Sequence, residues 1–160
     1  MAQITQLLIR QARIIDASSP YNGTVKDILI ENGVIRSIED HIEAVDATEF
    51  SAPNLHLSQG WIDLSANLCD PGFEHKEDLE SGLESAAYGG FTTVVAGAQT
   101  FPVTDTKGAV EYKMNRSRDN VVSISPLGAL TEKSEGKHLA ELYDMHQHGA
   151  VAFFDGKTQT

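Results

Sequence analysis

From about residue 57 onward, short β-prone runs alternate with helical stretches, and that alternation constrains the fold more than any other feature of the chain. Trp61-Ile62-Asp63-Leu64 is a short apolar strand following a glycine. Residues 77–88 then place Leu79, Leu83, Ala86 and Ala87 on one helical face. Glu77, Asp78 and Glu80 at the start of this helix suit the positive end of its dipole, and Gly89-Gly90 ends it. Residues 91–96, Phe-Thr-Thr-Val-Val-Ala, are continuously β-prone, as a buried parallel strand should be. The pattern goes on with a helix over 105–118 (Val110 and Met114 four apart), a strand over 121–125, a helix over 137–147 and a strand over 150–154. On the third helix Leu139, Leu142, Tyr143 and His146 share one face. Strands alternating with helices imply parallel βαβ units with right-handed crossovers. A closed (β/α)8 barrel needs eight strands and typically about 250 residues. Four strands form either an open sheet or the first half of a barrel completed elsewhere.

The preceding residues have a different texture. Residues 6–14 are largely apolar, Ile15-Asp16 closes the run, and Ser18-Ser19-Pro20-Tyr21-Asn22-Gly23 is a turn cluster. Val25-Lys26-Asp27-Ile28-Leu29-Ile30 and Val34-Ile35-Arg36-Ser37-Ile38 flank Asn32-Gly33, which reads as a hairpin. Residues 5–40 therefore form a small β-meander. Residues 41–55 are mixed and polar, with one further short strand near Phe50. The expected division is a β-rich segment over 1–56 and a βα segment over 57–160.

Composition removes several function classes. A net charge of −11 repels a phosphate backbone or an anionic membrane surface, which argues against both as partners. Cys69 is the only cysteine, so neither an internal disulfide nor a four-cysteine zinc site can form, which fits a reducing compartment. The first residues, Met-Ala-Gln-Ile-Thr-Gln, lack the basic region and apolar run of a signal peptide. No stretch approaches the roughly 20 apolar residues of a membrane span. The expectation is a cytoplasmic protein.

Ordered landmarks carry a family resemblance. Gln59-Gly60-Trp61-Ile62-Asp63, Asp70-Pro71-Gly72-Phe73-Glu74-His75-Lys76-Glu77-Asp78 and Gly89-Gly90-Phe91-Thr92-Thr93-Val94-Val95 occur in the order and spacing of dihydroorotases, within the amidohydrolase superfamily. Ile14-Ile15-Asp16 and residues 27–35 resemble the β-sandwich strands that precede an amidohydrolase barrel. The resemblance implies an α/β fold: a small β-sandwich leader, then the first half of a (β/α)8 TIM-like barrel with parallel strands.

The resemblance also implies a chemistry, and here the chain departs from it. The family's first barrel strand reads Asp-x-His-x-His-x-Arg-Glu/Asp-Pro-Gly, and its histidines bind zinc. Here those positions are Ser65 and Asn67, and the arginine that pairs with the substrate carboxylate is Cys69. A hydroxyl and a neutral amide are poor zinc ligands, and a thiol cannot make the bidentate contact of a guanidinium. The asparagine expected after the second strand is Gln99, an amide one carbon longer. Asp155 is the nearest match to the aspartate that sits between two metals at the end of the fourth strand. Zinc is the family's cofactor, but the residues here commit the chain to none. Metal-assisted hydrolysis needs a water made acidic by the cation, so these replacements point to impaired or lost catalysis.

Other features read more plainly. His146-Gln147-His148 sits near a helix end, where surface or partly packed histidines are the expectation. His75 is a solvated loop residue, and Cys69 a buried inert thiol. Three functions remain open: a dihydroorotase-like protein of pyrimidine biosynthesis that has lost hydrolysis and acts as a structural partner, notably of aspartate transcarbamoylase; an active cyclic-amide hydrolase with a rebuilt site; and a module binding another small molecule. Half a barrel exposes strand edges and apolar helix faces, so a homo-oligomer or a partner enzyme is expected.

Overall fold

The computed structural model describes residues 5–156. The chain divides into two compact units, Met1–Gln59 and Gly60–Thr160.

In the first unit β1 (Gln6–Ile15), β2 (Val25–Glu31) and β3 (Val34–Glu39) form the expected antiparallel meander, with Asn32 and Gly33 both at positive φ in the β2–β3 turn. β4 (Thr48–Phe50) and β5 (His56–Ser58) lie one after the other along the free edge of β1, both parallel to it. The leader is thus one five-stranded mixed sheet among the described residues. Leu8, Ala12, Ile14, Ile28 and Ile42 are its buried apolar residues.

A bulge in β1, with Gln11 at φ 49°, turns Arg10 and Gln11 toward Asp27, which is completely buried. The Asp27 carboxylate accepts from Arg10 Nη1 (2.7 Å), from the Gln11 backbone N–H (2.9 Å) and side-chain amide (3.0 Å), and from the Ile42 N–H (3.2 Å). Burial pushes this carboxyl toward protonation, but the hydrogen bonds outweigh it and hold its pKa well below the usual range. A buried charge is tolerable only when satisfied in this way. Arg10 also reaches Glu49 and the Ile42 carbonyl, which ties β1 to the segment around β4.

The second unit follows the expected alternation: β6 (Trp61–Ala66), α1 (Leu79–Tyr88), β7 (Phe91–Ala96), α2 (Lys107–Arg116), β8 (Ser123–Gly128), α3 (Leu142–Gln147) and β9 (Ala152–Phe153). The four strands pair in sequence order, all parallel. Alternate residues of β7 and β8, Val94, Ala96 and Ile124, pack with Leu68, Leu79, Leu83 and Val122 in one core, joined by Ala66, Ala86 and Ala87. The expected apolar face of α1 is therefore its buried face. Asp78 caps this helix by accepting from the Ser81 N–H at 2.9 Å, and Gly89 and Gly90 end it.

Two helices differ from expectation. On α2 the residue buried alongside Val110 is Lys113, whereas Met114 is 37% exposed. The lysine's long stem is buried, and its amine reaches the carbonyl of Gly97, just after β7. The third helix begins only at Leu142, not near residue 137. Residues 138–140 instead pair with residues 130–132: the Glu132 N–H donates to the His138 carbonyl and the Ala140 N–H to the Leu130 carbonyl. With the helix shortened, Met145 is the residue driven into the core with Val110 and Ala150, while Leu139 and Tyr143 are 68% and 75% exposed. The third strand also lies later than the 121–125 expected, because Val121 is left outside it and pairing continues through Pro126 to Gly128.

Candidate functional site

In a parallel sheet the C-terminal strand ends share one edge, where the loops that follow converge. The positions singled out from sequence lie there. Ser65 is near the end of β6 and Asn67 just beyond it. Ala66 packs against the core beneath α1, and a register irregularity in β6 between Asp63 and Ala66 leaves Ser65 and Asn67 lining a recess beside Gly82 and Ala86 of α1. The Ser65 N–H donates to Asp63 Oδ1 (2.9 Å), and the Asn67 amide oxygen accepts from the Cys69 N–H (3.3 Å). Asp63 thus caps the strand end, and the Asn67 amide is partly engaged by its own loop.

Cys69 is half-exposed, not buried. Its φ of 59° lifts it out of the loop while its neighbours Leu68 and Asp70 turn inward, at 9% and 3% exposure. Its sulfur lies 3.7 Å from Asn67 Oδ1.

Gln99 follows β7 and is exposed. Its amide lies against the segment after β9, since a Cβ added to Gly156 would sit 2.2 Å from Gln99 Nε2. That brings Gln99 beside Asp155-Gly156, and the Gly97 N–H bonds the Ala66 carbonyl at 2.9 Å to join the ends of β6 and β7. Both Asp155 oxygens are taken up by Thr131: Oδ1 accepts its N–H and Oδ2 its hydroxyl, each at 2.8 Å.

Residues without an assigned role in the sequence complete the mouth. Asp70 accepts the Tyr112 hydroxyl (2.7 Å) and the Leu79 N–H (3.4 Å). The hydrogen bond to Asp70, followed by partial burial, raises the Tyr112 pKa. Lys113, 1% exposed, donates from Nζ to the Gly97 carbonyl at 2.6 Å. Burial pulls its pKa down to about 8, with nearby Asp70 opposing the shift. Lysine at the i+3 position from a core valine was the available signal, but periodicity alone cannot distinguish a buried lysine from a solvated one.

With this geometry in place, comparison with known proteins decides the family. The dihydro-orotase-like family model matches residues 55–159, more than half of the chain. This chain belongs to the dihydro-orotase-like family. Relatives include a dihydroorotase of Acetivibrio thermocellus, 37% identical over 150 residues (93% of this chain, 35% of the relative), and one of Syntrophotalea carbinolica, 39% identical over 153 residues (94% and 35%). The chain therefore spans about a third of the length of the curated relatives it matches. Among solved structures, the L-hydantoinase (dihydropyrimidinase) of Arthrobacter aurescens superposes with a TM-score of 0.72 at 24% identity, over 92% of this chain and 32% of its own. A dihydroorotase crystal structure gives 0.63 at 17% identity, over 93% and 42%. These likenesses establish the fold: a β-sheet leader and a parallel half-barrel.

The residues of this dihydro-orotase-like chain do not form the zinc site that the resemblance implies. Among the described residues no three His, Cys, Asp or Glu side chains converge. Ser65 and Asn67, expected at the family's histidine positions, carry neither imidazole nor carboxylate, and Asp155 is bonded through both oxygens to Thr131. The His-x-His pair is engaged locally: His146 Nδ1 is 3.2 Å from the Ala150 carbonyl and His148 Nδ1 is 2.6 Å from that of Asp144. No helix among the described residues is long and apolar enough to cross a membrane.

Proposed function

We propose that this chain is part of a dihydroorotase-like protein of pyrimidine biosynthesis in which metal-dependent hydrolysis of the cyclic amide is impaired or lost. The observation that carries the reading is the mouth of β6: Ser65 and Asn67 stand where the family's strand-one histidines are expected, and Cys69 stands where the carboxylate-binding arginine is expected. Zinc favours imidazole and thiolate over a hydroxyl and a neutral amide. Without the cation, a water at the mouth keeps its ordinary acidity and is a weak nucleophile at neutral pH. The loss on the binding side acts in the same direction, because Cys69 offers a thiol where a guanidinium would offer a charged fork.

The scaffold then serves association, with aspartate transcarbamoylase as the partner suggested by the resemblance. The unpaired Cys69 suits a reducing, cytoplasmic setting. The test is metal analysis and dihydroorotate turnover of the native protein purified from its source, with gel filtration against aspartate transcarbamoylase. Sub-stoichiometric zinc, no measurable ring opening and co-elution at micromolar concentration are expected. Stoichiometric zinc with turnover would overturn the loss of hydrolysis and favour a site rebuilt around Asp155.

A further inference from the structure

Two loops at the mouth carry the positions matched to substrate binding: residues 67–78 after β6 hold Cys69, and residues 97–106 after β7 hold Gln99. The loops touch through their backbones. The Phe101 N–H donates to the Pro71 carbonyl at 2.9 Å, and a Cβ on Gly72 would lie 2.2 Å from the Phe101 carbonyl oxygen. Each loop is also fastened to α2 by one of two consecutive side chains. The Tyr112 hydroxyl donates to Asp70 Oδ1 (2.7 Å) in the first loop, and Lys113 Nζ donates to the Gly97 carbonyl (2.6 Å) at the start of the second.

We propose that Tyr112 and Lys113 form a two-point latch, positioning residues through which one turn of α2 fixes the two mouth loops relative to each other. Consecutive helical positions point about 100° apart, so neighbouring residues can reach two different loops. Lys113 is 1% exposed at a position where an aliphatic side chain would fill the same space without desolvating an amine. What the amine adds is a directed bond to the mouth. Tyr112 is 38% exposed, and its hydroxyl is the group that engages the 3%-exposed Asp70. A ligand contacting both loops would meet a preset gap and would not have to order it. The inference rests on the placement of Cys69 and Gln99 at the mouth, and holds whether or not hydrolysis survives.

Amide hydrogen exchange tests the latch, because the Phe101 N–H bridges the loops directly. In Tyr112→Phe and in Lys113→Met, exchange at Phe101 should accelerate about tenfold while amides within β7 keep their protection, the signature of local opening. Alkylation of Cys69, quantified by mass spectrometry, should accelerate in the same variants. Unchanged Phe101 exchange in folded Tyr112→Phe, or a rise at Phe101 matched by an equal rise in β7, would overturn the proposal. Failure of both variants to fold would overturn it too, since the contacts would then belong to the global core.

Discussion

At the level of single residues, the chemistry of the chain is set by which polar groups are buried and what satisfies them. Lys113 gives the clearest consequence. Its folded pKa is depressed to about 8 from an ordinary 10.5, with burial as the main cause. Below pH 8 both folded and unfolded states hold the proton, and the folded state bears the desolvation of the ammonium. Between about pH 8 and 10.5 the unfolded chain binds more protons, so folded stability rises with pH across that window. Relative to Lys113→Met, the wild-type protein should gain on the order of 3 kcal/mol from pH 8 to 10.5, measured by urea denaturation at each pH. A flat difference would mean that the amine is solvated. Neither Lys113 nor Asp27 could be recognised as buried from sequence, because a charged residue in an amphipathic pattern is normally a solvated one. That Ser65, Asn67 and Cys69 carry no imidazole or guanidinium was legible at once, because it is a matter of residue type alone. Their surroundings were not: the left-handed turn that exposes Cys69 and the capture of Asp155 by Thr131 depend on loops whose geometry leaves no periodic trace.

Among the secondary-structure elements, strong periodicity was a reliable guide and weak periodicity was not. α1 buries Leu79 and Leu83 to 1% exposure, because its apolar stripe, its acidic cap and its terminal glycines all specify the same helix. α3 lacks that agreement. Its stretch of sequence offered several apolar residues with no capping side chain, and pairing of residues 138–140 with residues 130–132 claimed the first of them. The same contrast predicts the energetics. Leu83→Ala should cost about 2–5 kcal/mol, since it opens a cavity between α1 and the sheet. Tyr143→Ser, at a position 75% exposed, should stay within about 0.5 kcal/mol of wild type. Chemical denaturation of both variants checks the pair, and comparable losses would mean that the α3 face is buried after all. The strands were legible because β-branched runs suit a parallel sheet, although the edges of β8 and β9 shifted by one to three residues where pairing, not propensity, sets the ends.

For the molecule as a whole, the mouth gathers residues from several strand ends: Asn67 after β6, Gln99 after β7 and Asp155 after β9. The described residues form four parallel strands in the second unit, and the chain spans about a third of the length of the curated dihydroorotases it matches. Among the described residues β6 is an edge of that sheet, and its Ile62 and Leu64 are 59% and 75% exposed. If Ser65 and Asn67 hold the histidine positions, returning imidazole there should restore metal binding in the native protein. Ser65→His combined with Asn67→His is expected to raise zinc affinity at least tenfold (about 1.4 kcal/mol), read by metal analysis after dialysis against a zinc buffer. Each single variant should achieve much less, because one imidazole cannot close a chelate. Asp155→Ala in the double-histidine background should reduce the gain, since the carboxylate near the end of β9 is a further ligand this chain offers there, once it is released from Thr131. A double variant that folds but binds no more zinc than wild type would refute the assigned register of β6, and with it the argument that this mouth descends from a metal site.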